Sequence, residues 1–464
     1  MSSNKSPWLT QLNRTRPVAN IDTLDGTDIA IVGGGIAGVC TAYYLLKYTD
    51  KKIMLCEADK IAHGATGHNA GQLVGYFERP LADIAKEYGK EMAIDAQKEM
   101  ERAWMLLEEI MVDAKLQTPM SNFVKSVGLS SVDQVLRLLR DNDIKVSGGL
   151  PVWPILIKDE VVVPSEADEF TGLWKRTSSD NVKSLLETLD ERYIAIGQER
   201  AGCMNSALFT EELVGYLLAN YGDRFVLSER TPVIEIVLAS ESATLKIPQG
   251  DVVVSNVILC TNGFENLSIV NEGGADIDFK FHHNVRGYVG YMAAYTDELA
   301  KAPNAITYFD DPLSKMNVDD SYFYITRRPY ENREDRAVNL ISVGGPGAWQ
   351  DDTKSYSSKD VYPDDAHDKI HNFLTNTYSD APKDIAYEFK WHGLMGFTVN
   401  NLRLVGREPC NPVVLYNLGC NGVGILPSIF GAEKITRIIK GEELPQSVFD
   451  PKDQRCVIEP SEEK

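Results

Sequence analysis

The sequence of 464 residues lacks a long hydrophobic run and is poor in basic side chains. No stretch approaches the roughly 18 uninterrupted apolar residues that a membrane-spanning helix requires, so we expect no membrane span. The 67 acidic residues outnumber the 47 lysines and arginines, and the formal net charge at pH 7 is −20. Because this charge repels nucleic acids and anionic membranes, we exclude both as partners.

Cysteine is also scarce. The seven cysteines are scattered, without the CxxC spacing of a metal site or a disulfide framework, which indicates a reducing compartment. The first 20 residues carry charges but no apolar core and do not resemble a secretion signal. No H-E-x-x-H motif or Ser/His/Asp set is visible. We therefore expect a cytoplasmic protein without a metal site.

The glycine-rich stretch DIAIVGGGIAG, residues 28–38, is the most informative segment of the chain. Its apolar start predicts a buried strand, and glycines follow in G-x-G-x-x-G order where an apolar helix begins. Such a turn brings the backbone close to a pyrophosphate and directs helix N–H groups at it. The stretch predicts a dinucleotide site, with the candidate binding residues Gly33, Gly35, Ile36, Ala37 and Gly38.

An acidic residue completes this unit. Glu57 ends a second apolar run, Ile53 to Cys56, which predicts another strand. A carboxylate in this position accepts hydrogen bonds from the ribose hydroxyls and disfavours a 2′-phosphate, so NADP is not expected. We predict that Glu57 and Ala58 contact the ribose of a dinucleotide, and this part of the chain leaves NAD and FAD open.

In the loop that follows, the sequence resembles a known family. The segment HGATGHNAGQ, residues 63–72, is similar to the second cofactor motif of the FAD-dependent amine and amino-acid oxidoreductases, the superfamily of D-amino-acid oxidase, glycine oxidase and gamma-glutamylputrescine oxidase. In that family the segment runs along the flavin. The resemblance implies cofactor contacts for Gly64, Ala65, Thr66, His68, Asn69, Ala70 and Gly71.

His68 stands where arginine is common in the family, and three interpretations are open. The first is a loop histidine at the surface, and the second is a noncovalent contact to the flavin or its diphosphate. The third is covalent attachment of FAD, because related dimethylglycine and sarcosine dehydrogenases attach FAD through a histidine in a similar segment.

The C-terminal segment 391–441 resembles the last flavin-binding segment of the same superfamily, with a short strand, a glycine-rich loop and a helix. Backbone N–H groups in this loop, with the positive end of the helix, suit the negative charge of a reduced flavin, whereas NAD needs no such site. The segment favours FAD, and its predicted cofactor contacts are Trp391, Gly393, Gly422, Val423, Gly424 and Ile425.

A further predicted cofactor segment ends at a small-residue turn. The apolar run Asp251 to Cys260 predicts one strand, and its counterpart in the family rises beneath the adenine. The resemblance implies contacts for Thr261, Asn262 and Gly263. Val233 is a candidate for backbone contact with adenine, and a plain strand residue is the equal alternative.

Three aromatic or apolar runs, residues 286–295, 321–326 and 338–344, predict strands that fit the antiparallel sheet above the substrate in this family. Tyr288, Tyr322 and Tyr324 are candidate pocket residues, with plain packing in the sheet as the alternative. Arg327 resembles the strand-end arginine that holds the substrate carboxylate in glycine oxidase, and a surface role is its alternative. His283 is a candidate proton acceptor, or else a solvated loop histidine.

We predict an α/β protein with a Rossmann-like FAD-binding domain and an α+β substrate domain built on a mostly antiparallel sheet. The β-rich runs in residues 150–164 predict a hairpin. The FAD-binding domain is assigned residues 28–145, 201–280 and 391–445, and the substrate domain is assigned 146–200 and 281–390. Residues 1–27 are expected along the surface, and 446–464 form a tail.

The resemblance implies an enzyme that oxidises the C–N bond of a small amine or amino acid. Hydride passes to flavin N5, the imine is hydrolysed by water, and O2 or another acceptor takes up the electrons. Two alternatives are open: a flavin-dependent 2-hydroxy-acid dehydrogenase, and a flavoprotein whose FAD is structural and which has a binding role.

Overall fold

The computed structural model describes residues 4–12, 14–19, 26–264, 267–272, 274–277, 285–298, 301–317, 319–331, 337–350 and 356–452. The helices in these ranges are α1 Pro7–Thr10, α2 Ile36–Tyr48, α3 Leu81–Tyr88, α4 Lys90–Asp113, α5 Val132–Ser147, α6 Ser179–Leu185, α7 Ser206–Asn220, α8 Asp364–Thr377 and α9 Ile425–Ile439. None of them combines the length and apolar character that crossing a bilayer demands.

The strands are β1 Ile29–Val32, β2 Ile53–Cys56, β3 Gln72–Val74, β4 Met120–Leu129, β5 Ile155–Lys158, β6 Trp174–Thr177, β7 Ala195–Met204, β8 Phe225–Ser228, β9 Glu235–Leu238, β10 Ala243–Ile247, β11 Gly250–Val254, β12 Asn256–Leu259, β13 Ser268–Asn271, β14 Arg286–Glu298, β15 Asn304–Phe309, β16 Phe323–Glu331, β17 Ala337–Gln350, β18 Phe389–Phe397, β19 Leu404–Arg407 and β20 Val414–Leu418. They are arranged in sheets of six, four and ten strands.

The six-stranded sheet has the order β19-β20-β12-β1-β2-β8. All neighbours run parallel except β19 and β20, which are antiparallel. Every residue of β1 and β2 is buried, as expected for a parallel sheet covered on both faces. The prediction of a Rossmann-like domain is confirmed.

Alternate residues of β1 pack into different cores. Ile29 and Ile31 join the cluster formed by the helices, including α2 and α9. Ala30 and Val32 face the four-stranded sheet, whose order is β11-β10-β9-β13. Because successive side chains of a strand point to opposite faces, the parallel sheet lies between a helical layer and a second sheet.

The prediction of one strand from Asp251 to Cys260 is wrong. β11 ends at Val254 in the four-stranded sheet, and β12 begins at Asn256 in the parallel sheet. Between them the Ser255 N–H donates to the Asp28 carbonyl at 2.8 Å. The chain therefore changes sheets at Ser255, which an uninterrupted apolar pattern does not reveal.

The ten-stranded sheet follows the order β18-β14-β17-β16-β15-β4-β7-β5-β6, with β3 paired to β7. Its pairs are antiparallel except β15 with β4 and β5 with β6, so the predicted, mostly antiparallel sheet is confirmed. Residues 28–145 contribute β3 and β4 to it. The boundaries of the two domains stay a prediction.

The hairpin predicted in residues 150–164 is not formed. β5 pairs with β6 in parallel and with β7 antiparallel. Val161 to Val163 form no strand, and Val162 is 87% exposed. Val161 and Val163 pack against the core beside β5 and β7 without pairing as a strand, and the chain then crosses over to β6.

Candidate active site

A cavity of about 540 Å³ opens where the parallel sheet meets the ten-stranded sheet. Val32, Cys56 and Cys260 line it, and they mark the carboxyl ends of β1, β2 and β12. Ligands of open parallel sheets bind at this edge, and the volume suits a small-molecule site.

Most of the predicted site residues meet in this cavity. Those that line it are Gly33, Gly35, Ile36, Ala37, Glu57, Ala58, Gly64, Ala65, Thr66, His68, Asn69, Ala70, Gly71, Val233, Thr261, Asn262, Tyr288, Tyr322, Tyr324, Gly393, Gly422, Val423, Gly424 and Ile425. Four predicted residues lie outside the lining, namely Gly38, Gly263, Trp391 and Arg327. His283 lies outside the described residues.

The glycines of the first turn hold strand and helix in close contact. Gly33 has φ +109°, which side-chain-bearing residues rarely adopt, and a Cβ there would lie 2.7 Å from the Cys260 carbonyl oxygen. A Cβ on Gly38 would lie 1.9 Å from the Gly33 carbonyl oxygen. Gly38 therefore acts behind the turn, by letting α2 pack against β1.

Glu57 is held by backbone donors at the edge of the turn. Its Oε2 accepts from the Gly34 N–H at 2.7 Å, and its Oε1 accepts from the Asp59 N–H at 2.8 Å. Burial raises the pKa of this carboxyl above its ordinary value, against the lowering effect of the two hydrogen bonds. Each oxygen retains a lone pair, so the ribose contact predicted for Glu57 is geometrically open.

Two helices begin at the cavity with a glycine as N-cap. Gly35 is the N-cap of α2 and Gly424 that of α9, and neither glycine supplies a capping side chain, although the Ile36 N–H at the start of α2 donates to Thr66 Oγ1 at 3.0 Å. Both glycines line the cavity. First-turn N–H groups and the positive ends of two helix dipoles thus meet one space, which fits the diphosphate and the anionic flavin ring of FAD.

A buried amide group is also available in the cavity. The Asn262 side chain accepts from the Cys420 N–H at 2.8 Å through Oδ1. Its Nδ2 is buried and has no hydrogen-bond partner within the described ranges. A buried donor without a partner is costly, so this amide fits a ligand that supplies an acceptor. The neighbouring Gly263, with φ +92°, forms the turn and packs on Val285.

The second cofactor loop is fixed by the N-terminal segment. Trp8, expected along the surface, is fully buried, and its Nε1 donates to the Asn69 carbonyl at 2.6 Å. The Asn69 amide donates to Ser206 Oγ at 2.8 Å. Trp391 meets Trp8 edge to face with ring centroids 6.3 Å apart, which explains why Trp391 lies behind the cavity wall.

His68 lies on this loop, and one of its two ring nitrogens already makes a hydrogen bond. Its Nδ1 lies 2.9 Å from the Gly64 carbonyl oxygen, and because a carbonyl only accepts, Nδ1 carries the proton. Burial lowers the pKa of His68, which favours the neutral ring. Nε2 is then the unprotonated nitrogen. The position in the cavity lining speaks against a plain surface histidine.

Glu78 is a cavity residue that sequence reasoning missed. Its Oε1 accepts from the Tyr322 hydroxyl at 2.8 Å and from the Tyr76 hydroxyl at 3.4 Å. Burial raises the pKa of Glu78 above its ordinary value, although these hydrogen bonds lower it. A Cβ on Gly422 would lie 2.5 Å from Glu78 Cγ, so this carboxyl packs on the C-terminal glycine loop. A single acidic residue in a loop carries no motif.

Tyr288 and Tyr324 cover the cavity from the ten-stranded sheet. Their rings lie over glycines of β17: a Cβ on Gly347 would meet Tyr288 at 2.2 Å, and one on Gly344 would meet Tyr324 at 2.4 Å. Burial raises the pKa of both phenols, so they are neutral donors at physiological pH. The tyrosine rings predicted above the pocket therefore do line it.

Arg327 is directed away from the cavity, contrary to the predicted contact with a substrate carboxylate. Tyr324 and Arg327 are three positions apart on β16, so their side chains emerge on opposite faces. The Arg327 guanidinium contacts Glu187 through two hydrogen bonds, of 2.7 and 2.8 Å, and Tyr378 at 3.2 Å. Arg328 is on the other face, but its guanidinium carbon lies 4.3 Å from the centroid of the Trp8 ring.

Comparisons with known proteins agree with this geometry. A model of the family described as FAD dependent oxidoreductase matches residues 28–438. Gamma-glutamylputrescine oxidoreductase of Escherichia coli (strain K12) is 32% identical over 88 residues, which are 19% of this chain and 20% of that protein. The match thus spans about a fifth of that relative's length.

Solved structures show the same fold at low sequence identity. Glycine oxidase from Bacillus cereus superposes with a TM-score of 0.62 at 17% identity, over 90% of this chain and 96% of that chain. L-proline dehydrogenase from P. horikoshii gives a TM-score of 0.66 at 16% identity, over 91% and 95%. At these identities the likeness is one of fold alone.

Proposed function

The chain belongs to the FAD dependent oxidoreductase family, and on this premise we propose that it oxidises the C–N bond of a small amine or amino acid. Its cofactor is FAD, and the resemblance to the FAD-dependent oxidoreductases noted in the sequence is confirmed. When bound, FAD accepts a hydride from the carbon next to nitrogen, and water hydrolyses the imine. O2 or another acceptor is expected to take up the electrons.

The residues proposed to hold FAD follow from where they line the cavity. The turn at Gly33 and Gly35 is assigned to the diphosphate, Glu57 to the ribose, and Val233 to the adenine. The loop of residues 64–71 and the glycine loop of residues 422–425 are assigned to the flavin ring. These assignments use the backbone donors and glycine turns described above.

The observation that carries the proposal is the cavity itself, which joins the cofactor motifs to a tyrosine-lined space. A flavin that were only structural would need no such space. The rings of Tyr288, Tyr322 and Tyr324 line this space, and Glu78 lines it too. We assign Glu78 the uptake of a proton from the substrate ammonium, because only a neutral amine has the lone pair that C–N oxidation requires.

The test is anaerobic reduction of the purified flavoprotein by small amines, amino acids and 2-hydroxy acids. We expect amines or amino acids to bleach the absorbance band of oxidised flavin. Bleaching by 2-hydroxy acids alone would replace the proposal by the alcohol-oxidising alternative. A flavin that dithionite reduces but no member of the three classes does would favour a structural flavin.

We expect His68 to contact FAD without a covalent bond, so that flavin stays in the supernatant after acid precipitation. His68→Ala is expected to weaken FAD binding by about tenfold or less, since one neutral hydrogen bond is lost. Both results are read from absorbance and from flavin fluorescence titrations. A yellow pellet from the parent protein and a colourless one from His68→Ala would instead establish covalent attachment.

A further inference from the structure

We propose that the cavity selects a cationic amine with no carboxylate on the reacting carbon, and that Glu78 is the group that binds its ammonium. This inference rests on the proposed function, which admits amines and amino acids alike. It narrows the substrate class to amines that lack this carboxylate. The argument depends on the charges around the tyrosine-lined space and on which of them are already paired.

The first observation is the free oxygen of Glu78. Both hydrogen bonds that the described residues make to this carboxyl, from Tyr322 and Tyr76, go to Oε1. Oε2 is therefore open to a ligand in the cavity that Glu78 lines. An ammonium N–H donating to this oxygen would make a charge-assisted hydrogen bond, the strongest kind available here.

The second observation is the aromatic surface beside Glu78. Tyr76, Tyr288, Tyr322 and Tyr324 all line the cavity, and the rings of Tyr322 and Tyr324 lie with centroids 5.8 Å apart. The faces of aromatic rings attract cations, and desolvation strengthens the attraction. The hydroxyls of Tyr288 and Tyr324 can donate to a ligand of either charge, but only a cation also gains from the faces of the rings.

The third observation concerns the basic side chains in and around the described lining. Arg403 is the arginine that lines the cavity, and it donates to the side chain and the carbonyl of Asn417 at 2.7 and 2.9 Å. Lys125 is paired with Glu199 at 3.1 Å and donates to Thr307 at 3.3 Å, and its Nζ lies 4.5 Å from the centroid of the Tyr76 ring. Arg327 is paired with Glu187. The described lining therefore offers a substrate carboxylate no lysine, and the arginine within it already donates to Asn417.

The affinity of the cavity for a cation should also decrease as the pH falls. The groups that act on the Glu78 charge are Tyr76, Tyr288, Tyr322, Tyr324, Lys125 and Glu199. Burial raises the pKa of Glu78, so protonation begins at a higher pH than for an exposed glutamate. Cation affinity should therefore fall on acidification, beginning above the ordinary glutamate pKa of about 4.3.

The test uses two inert ligands that share a tert-butyl group and carry opposite charges, tert-butylammonium and pivalate, on the FAD-loaded protein. Neither has a hydrogen on the carbon that bears the charged group, so neither is oxidised there. Binding is followed by the change in the flavin absorption spectrum at constant ionic strength. We expect tert-butylammonium to bind at least about tenfold more tightly than pivalate.

Glu78→Gln keeps the size of the side chain and removes its charge. We expect tert-butylammonium binding to weaken by about 10- to 100-fold, as for a lost charge-assisted hydrogen bond. Glu101→Gln is the matched control, because burial also raises the pKa of Glu101 although it lies outside the cavity lining. Its ligand affinity should match that of the parent. Flavin content and thermal unfolding verify that both variants fold. Tyr322→Phe is a second, milder variant, which removes the hydroxyl that donates to Glu78.

Three outcomes would overturn the inference: pivalate binding as tightly as the cation, Glu78→Gln and Tyr322→Phe binding the cation like the parent, or no binding of either ligand. Failure of the proposed function is a different result, namely cation binding without flavin reduction by any amine. Where reduction does occur, ethylamine should reduce the flavin faster than alanine does. Alanine has the same skeleton with a carboxylate on the reacting carbon.

Discussion

Gly38→Ala is expected to yield a protein that no longer retains FAD. The added methyl group would lie 1.9 Å from the Gly33 carbonyl oxygen and 3.3 Å from Ile31 Cγ2. Backbone cannot give way as a flexible side chain does, so α2 must move from β1 or the Gly33 turn must distort. Either change displaces the N–H groups that we assign to the diphosphate.

The expected cost is about 1–3 kcal/mol or more in the free energy of unfolding from overpacking. Loss of the bound cofactor adds to it, because a ligand that binds the native state stabilises that state. The ratio of flavin to protein absorbance after purification gives the first readout, and urea unfolding the second. A variant with parental flavin content would contradict the role of Gly38.

Gly215→Ala is the matched control for this prediction. Gly215 is also a helical glycine, in α7, but a Cβ there would meet no atom within 4 Å. Alanine has the higher helix propensity, so this change should stabilise the protein by up to about 1 kcal/mol. FAD content should stay at the parental level.

Arg327→Met is expected to lower the free energy of unfolding by about 3–5 kcal/mol. The variant molecules that remain folded should bind substrate as tightly as the parent. The Arg327 guanidinium is mostly buried and makes a two-point contact with Glu187, which Tyr378 also contacts through its hydroxyl at 2.8 Å. Without the arginine, Glu187 becomes a largely buried carboxylate lacking its main partner. Urea unfolding of the flavin-loaded protein measures the cost.

The same pair contributes to acid stability. Its interactions lower the pKa of Glu187 to about 2, against the opposing effect of burial. A depressed carboxyl pKa stabilises the fold above the unfolded-state value of about 4.3, and this stabilisation is lost as pH falls towards 2. The loss of stability across that window should be smaller in Arg327→Met.

Arg140→Met is the control for the arginine substitution. Arg140 pairs with Glu166, and both side chains are 45% exposed. Solvent-exposed pairs contribute about 0–1 kcal/mol, so this variant should unfold close to the parent. Parental stability of Arg327→Met combined with lost substrate affinity would restore the carboxylate-binding role that the sequence suggests.

The cofactor half of the site was accessible from the sequence because its signals are local. A strand, a glycine turn and a helix N-terminus occupy residues 28–48, and backbone geometry ties their positions together. Residues 63–72 and 422–425 likewise act through glycines and backbone N–H groups. Each predicted segment therefore reached the cavity.

The substrate half depended on side-chain direction, which short patterns define poorly. Arg327 was recognised as a strand-end arginine. It is an odd number of positions from Tyr324 on β16, however, so its side chain lies on the opposite face of the sheet. Glu78 went unnoticed because its partner Tyr322 is 244 positions away. The change of sheet at Ser255 was hidden for a similar reason, since the apolar pattern continues across it.

The sequence by itself determined the fold class, because glycines and strand periodicity constrain the backbone within a few residues. It also indicated the family and FAD as the cofactor, through the resemblance of residues 63–72 and 391–441 to known cofactor segments. Only the tertiary structure decided that Glu78 stands among the tyrosines, that Arg327 is paired elsewhere and that Trp8 is buried under the cofactor loop. These outcomes depend on packing between distant segments, where burial and pairing of charges are determined by the whole fold.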